Sequence, residues 1–152
     1  MSERPNFKKI SVHDGPKQSP GFLLWHISTS WRSSIENILK TFGLTHPQFV
    51  VLATTGWLTR NGELATQVAI GKMAGLDPNT TSQIIKGLEK KGLIKRAASS
   101  DARAKNPQLT PKGTELLAQA LPAVEQEDGK FFNTLSPQEL ERLVRIFQKI
   151  TH

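Results

Sequence analysis

The sequence predicts a mainly α fold with a small β-wing: a winged helix-turn-helix lobe set between long helices at the two ends of the chain. Three observations predict it. Apolar residues recur at spacings of three and four along most of the 152 residues, the mark of amphipathic helices. Two short helical segments meet at Gly75 with three or four residues between them. Directly after the second, Leu93 to Leu109 reads as a strand, a basic turn and a returning strand.

Each element has its own signals. Residues 1–19 mix Pro5, Gly15, Pro16 and scattered lysines without a period, and read as an N-terminal arm. From residue 20 to 42, Leu24, Ile27, Trp31, Ile35, Ile38 and Phe42 form one stripe of a helix, which Gly43 ends. Thr45, Pro47 and Gln48 supply a capping box for the next helix, which carries Phe49, Val50, Leu52 and Ala53. It ends near Leu58, ahead of the Asn61-Gly62 turn. Thr66 caps a third helix with Ile70, Met73 and Ala74 expected inward and Gly71 expected to permit a close helix approach. Asp77 caps the following helix, Pro78 opens it, Ile84, Ile85 and Leu88 point inward, and Gly92 stops it after Lys91.

The ribbon is expected at Leu93–Ala98 and Lys105–Leu109, with Pro107 marking an edge strand. Thr110 and Pro111 then begin a long helix toward Asn133, with Leu116, Leu117, Ala120, Leu121 and Val124 on its apolar side. Pro122 should bend that helix or split it. Ser136, Pro137 and Glu139 form a second capping box. The last helix is expected to bury Leu140, Leu143, Val144, Phe147 and Ile150.

Composition narrows the function classes. Charged residues are 22% and apolar residues 37%, which is globular rather than disordered. No apolar run approaches the roughly 20 residues of a membrane span, and residues 1–21 lack the apolar stretch of a signal peptide. A cytoplasmic protein is expected. The absence of cysteine excludes disulfides and thiolate metal sites, the four histidines are scattered, and no metal or other cofactor is expected. No His-Glu-x-x-His, Gly-x-Ser-x-Gly or dinucleotide loop argues for an enzyme. The net charge of +7 is uneven. Residues 64–113 hold nine basic and three acidic groups, whereas residues 114–152 hold four basic and six acidic ones. The positive charge therefore gathers on the winged segment, as phosphate neutralisation requires.

On the helix from 77 to 91, Asn79, Thr80, Gln83 and Lys86 share the side opposite Ile84, Ile85 and Leu88. Asn and Gln can pair with adenine, Thr with a thymine methyl or phosphate, and Lys with guanine or phosphate. Lys90, Lys91, Lys95 and Arg96 flank this helix as candidate phosphate contacts, although Lys90 and Lys91 equally suit a helix C-terminus. Thr66 and Gln67 could meet phosphate at the start of the third helix. A solvated basic face is the plain alternative for all of these.

Four segments in order resemble the MarR (multiple antibiotic resistance regulator) family over roughly residues 22–150. They are Gly43-Leu44-Thr45-x-x-Gln48-Phe49-x-Val51-Leu52, Leu88-Glu89-Lys90-Lys91-Gly92-Leu93-Ile94, Asp101-x-Arg103 and Leu109-Thr110-x-x-Gly113. The resemblance implies one MarR-like domain over residues 20–152, with the winged lobe at about 45–110 and dimerisation helices at about 20–42 and 111–151. It implies a homodimer whose two lobes lie on successive major grooves of a palindromic double-stranded DNA operator. It also implies transcriptional control, usually repression, relieved by a small aromatic or amphipathic effector. Arg103 would approach the minor groove, oriented by Asp101, with Lys105 on a phosphate; Ala102 stands where relatives often carry a second basic residue. The plain alternative is a hairpin turn held by an Asp101–Arg103 pair. An effector cleft between the dimer helices and the lobe would draw on Trp25, His26, Arg32, Phe49 and Trp57, although Trp and Phe at helical spacing are more often plain core. Apart from the resemblance, apolar stripes at both chain ends need a surface to cover them; a twofold-related copy is the economical one, and packing back onto the chain's own winged lobe is the alternative. A nonspecific architectural DNA binder would use the same basic lobe, relying on phosphate contacts alone.

Overall fold

The computed structural model describes residues 3–97 and 106–151. Its elements run α1 (Phe7–Ile10), a 3-10 turn (Pro16–Gln18), α2 (Pro20–Lys40), α3 (His46–Leu58), α4 (Gln67–Ala74), α5 (Pro78–Lys90), β1 (Ile94–Ala97), β2 (Asn106–Leu109), α6 (Pro111–Phe131) and α7 (Pro137–Thr151). Neither α1 nor the 3-10 turn buries a residue.

Side chains written into the sequence cap most helices. Ser19 accepts from the Phe22 amide and starts α2. Thr45 and Gln48 close the capping box of α3 in both directions. Thr66, Asp77 and Thr110 cap α4, α5 and α6, and Ser136 with Glu139 closes the box of α7. Gly43, Gly62, Gly75 and Gly92 carry φ near +70° to +80°, and at Gly75 this left-handed turn is what lets α5 leave α4.

The core is centred on the lobe and draws in side chains from the long helices on either side of it. Ile35 and Leu39 of α2, Val51 and Leu52 of α3, Ile70 of α4 and Ile85 and Leu88 of α5 are all fully buried, and Ala120 and Val124 of α6 close over them. A Cβ on Gly71 would stand 2.7 Å from Thr81 Oγ1, so glycine sets the α4–α5 approach. Thr81 is itself fully buried, a polar residue that the apolar period passes over. Its hydroxyl donates to the Asp77 carbonyl at 2.8 Å, which meets the requirement for a buried polar group. Met73 is 55% exposed, against the expectation that it points inward. The contact surface of this eight-residue helix is already taken by Ile70 and Gly71.

β1 and β2 pair antiparallel, with Ile94 opposite Leu109 and Arg96 opposite Pro107. β2 is an edge strand of this two-stranded sheet, as Pro107 leads one to expect, and the Pro107 side chain is almost wholly buried. Helix α6 continues through Pro122 instead of splitting there. The carbonyl that loses its partner belongs to exposed Ala118, where water can replace the missing N–H.

The terminal helices behave differently from the lobe. α7 buries no residue, and Leu140, Val144, Phe147 and Ile150, expected to be buried, are 39–74% exposed. The first half of α2 is equally bare, with Leu24 at 60% and Ile27 at 44%. None of the described helices is long and apolar enough to cross a membrane.

Candidate nucleic-acid interface

Helix α5 is held from below and at both ends. Its N-cap Asp77 accepts from the Thr80 amide at 2.9 Å and from the Thr80 hydroxyl at 2.6 Å. These bonds, the hydroxyl's first, hold the Asp77 carboxyl below its ordinary range. At the other end, Lys91 Nζ donates to the Gly43 carbonyl at 2.6 Å and to Gln48 Oε1 at 2.8 Å. Lys91 is therefore a tie between α5 and the start of α3 rather than a free phosphate contact. Thr110 donates to the Gly92 carbonyl at 2.6 Å while capping α6. A Cβ on Gly113 would lie 2.1 Å from the Leu93 carbonyl oxygen, so glycine lets α6 press against the end of α5. The Leu109-Thr110-x-x-Gly113 segment is thus the clamp that fixes α5 and the ribbon on one base.

Above that base, Asn79, Gln83 and Lys86 are exposed on one side of α5, and Lys90 is exposed near its end. Lys95 is exposed on β1. Thr80 is half-buried, and its hydroxyl is spent on the cap, leaving its methyl as the group it can offer. Arg96 is also half-buried: its Nε donates to Glu89 Oε1 at 2.8 Å and ties β1 to α5. Thr66 is exposed with its oxygen accepting from Ala69, and Gln67 beside it is half-buried. Asp101, Arg103 and Lys105 lie outside the described residues.

The geometry is that of a helix-turn-helix with a two-stranded ribbon beside its second helix, and known proteins share it. The MarR family model matches residues 44–105, the segment from the loop before α3 into the wing. The HTH-type transcriptional regulator YdcH of Bacillus subtilis (strain 168) is 37% identical over 130 residues, covering 85% of this chain and 88% of its own. The chain belongs to the MarR family. Among solved structures, BpsR of Bordetella bronchiseptica, whose DNA binding is regulated by 6-hydroxynicotinic acid, is 26% identical with a TM-score of 0.78. The alignment covers 92% of this chain and 99% of that one. CouR of Rhodococcus jostii RHA1, bound to p-coumaroyl-CoA, shares the fold at 24% identity and a TM-score of 0.81, over 91% of this chain and 96% of that one.

This MarR-family regulator has a cleft between its first long helix and its lobe, but most of the expected lining is elsewhere. Trp25 is 69% exposed and His26 is exposed beside it on the bare half of α2. Phe49 is buried in the core. Trp57 lies on the surface under the Arg60 guanidinium, 3.6 Å from its ring centroid. Arg32 alone of the five lines the cleft, a space of about 310 Å³ that also meets Trp31, Glu36, His46, Val50 and Leu76. The His46 ring tilts against the Trp31 ring at 5.0 Å. Burial first, and Arg32 second, push the His46 pKa below 6.5. Trp31 Nε1 donates to Asp128 Oδ1 of α6 at 2.7 Å, across 97 positions of sequence. Trp31 and His46 escape a reading by period, because Trp31 continues an apolar stripe and His46 looks like a capping-box filler.

Proposed function

We propose that this chain is a non-catalytic cytoplasmic repressor that binds a palindromic double-stranded DNA operator as a homodimer and releases it when a small effector binds. The observation that carries the reading is α5. Its apolar side is consumed by the chain's own core, while Asn79, Gln83 and Lys86 stand exposed on the opposite side. Asn and Gln bring paired donors and acceptors for base edges, and the exposed Lys86, Lys90 and Lys95 bring charge for phosphates. Because Asp77 already caps the α5 N-terminus, phosphate binding falls to those cations and to the wing residues Arg103 and Lys105, with Asp101 orienting Arg103. Thr66 and Gln67 add contacts at the start of α4.

Two further observations support the rest of the reading. The apolar sides of α7 and of the first half of α2 stay largely exposed among the described residues, and a second copy would cover both at once. The cleft holding Arg32 touches Ala74 and Leu76 at the α4–α5 turn, so a ligand there would press on the element that aims α5. An aromatic acid suits it, its carboxylate against Arg32 and its ring against Trp31.

Fluorescence anisotropy on DNA from immediately upstream of the gene, against scrambled DNA at several salt concentrations, tests the proposal. Saturable binding near physiological salt, tighter than the scrambled control by about a thousandfold, is expected. Equal and steeply salt-sensitive binding to that DNA, to scrambled DNA and to fragments selected from the genome would make the protein an architectural binder instead.

A further inference from the structure

The N-terminal arm is rich in apolar side chains that rest on nothing. Phe7 and Ile10 stand three positions apart on one side of α1 and are 67% and 70% exposed, and Val12 beyond them is 95% exposed. α1 is a single turn that buries no residue among those described. So short a helix is not held by its own hydrogen bonds in water, and depends on an apolar surface to pack against. The chain also carries an apolar space without a filling. A cleft of about 370 Å³ opens between α2, α6 and α7, lined by Leu24, Ile27, Trp31, Phe132 and Phe147, with Asp128 as its one charged residue. Leu24 and Phe147 belong to the bare sides of α2 and α7 that a second copy would cover.

We propose that the arm of each copy in the homodimer lies over this cleft of its partner, with Phe7 and Ile10 turned into the aromatic and aliphatic lining. The inference rests on the homodimer of the proposed function and names the segment that completes its interface. Two observations select the partner's arm as the occupant. The first is continuity. The arm runs directly into the bare first half of α2, so it begins inside the surface that the second copy covers. Residues 11–19, which join α1 to α2, span at most roughly 30 Å, about the width of two or three packed helices. The second observation is charge. The arm holds Arg4, Lys8, Lys9 and Lys17 against Glu3 and Asp14. The last two turns of α6, beside the cleft, hold Glu125, Glu127 and Asp128, and Lys130 is the only cation between residues 113 and 141. Among the described residues, neither these three carboxylates nor Lys8 and Lys9 take part in an ion pair. With Phe7 and Ile10 turned inward, Lys8 and Lys9 leave α1 on its two flanks, where a basic arm meets an acidic helix.

The chain has no cysteine, so an introduced pair reports placement without background. Ile10→Cys and Phe147→Cys are combined in one full-length chain, which is mildly oxidised and run on a denaturing gel without reductant. A disulfide requires Cα atoms within about 7 Å of each other. A covalent dimer is expected, with each single substitution staying a single chain. Sedimentation equilibrium of Phe7→Ser with Ile10→Ser gives a second measurement. Neither residue is buried in its own chain, so the fold should be untouched, while the dimer dissociation constant should rise at least about tenfold. A disulfide closed within one chain would put the arm over its own cleft and overturn the proposal. So would the absence of any disulfide, or an unchanged dissociation constant in the serine variant. In those cases a wild type that still sediments as a dimer keeps the proposed assembly, whereas a monomeric wild type removes the assembly along with the arm's place in it.

Discussion

Helices α5 and α7 start alike and end in different surroundings. Each opens with a polar cap followed by proline, Asp77-Pro78 and Ser136-Pro137, and each has one strongly apolar side. α5 buries that side under its own chain, with Ile85 and Leu88 fully buried, and exposes amides and amines. α7 leaves its apolar side bare, with Ile150 at 74% and Val144 at 48%. The difference separates two kinds of unsatisfied surface. What α5 leaves over is matched to a polyanion with hydrogen-bonding edges, and what α7 leaves over is matched to another apolar protein surface. On the proposed function, one helix type, capped the same way, would serve recognition in one place and assembly in the other.

Substitutions in the two helices should therefore fail in different ways. Leu88→Ala opens a cavity in the lobe core and should lower unfolding stability by about 2–5 kcal/mol. Urea denaturation checks this, and the loss should be the same at every protein concentration if α5 belongs to an intrachain core. Val144→Asp places a charge on the α7 apolar side and should cost roughly 2–4 kcal/mol of dimer stability. Sedimentation equilibrium would show dissociation into monomers whose lobes stay folded by circular dichroism. A Val144→Asp protein that sedimented like the wild type would remove α7 from the assembly and break the comparison.

Smaller effects sharpen it. Thr110→Ala removes the α6 cap and the bond to the Gly92 carbonyl, and should cost about 0.5–2 kcal/mol by chemical denaturation. Its effect on DNA affinity should exceed its effect on dimerisation, since the clamp holds α5 and the ribbon. The smallest effect is the pH dependence from His46. Its pKa is lowered in the fold by burial and by Arg32, so the unfolded chain binds the proton first. Stability is then complete above about pH 6.5 and falls as pH drops from there toward the lowered folded value. Thermal melts at stepped pH should show this slope, and His46→Gln should flatten it.

Much of this architecture is readable from local chemistry. Caps such as Thr45, Asp77 and Thr110 and stops such as Gly75 and Gly92 act within a few residues of themselves, so neighbouring sequence is enough to place them. Long-range coincidence is not readable that way. The Trp31–Asp128 bond joins positions 97 apart, and no period marks either residue as a partner. Trp25, His26 and Trp57 have the right residue types for a cleft, yet only the packing of α2 and α3 shows that they stand apart from the cleft that holds Arg32. Lys91 and Arg96 look like phosphate ligands in a charge tally, but an intrachain acceptor lies within hydrogen-bond reach of each. The buried Thr81 is hidden for the converse reason, because its hydroxyl is satisfied one turn back and lets it pack like an apolar residue.

Whether the exposed side of α5 reads DNA sequence is tested most directly by the affinity of Gln83→Ala across every single-base variant of a bound half-site. Discrimination should be lost at one base pair per half-site, worth about 1–3 kcal/mol, with the other positions unchanged. Lys95→Ala on the same panel should weaken all variants alike and lower the salt slope by about one. A Gln83→Ala protein with the wild-type preference at every position would move sequence reading away from Gln83 and the exposed side of α5.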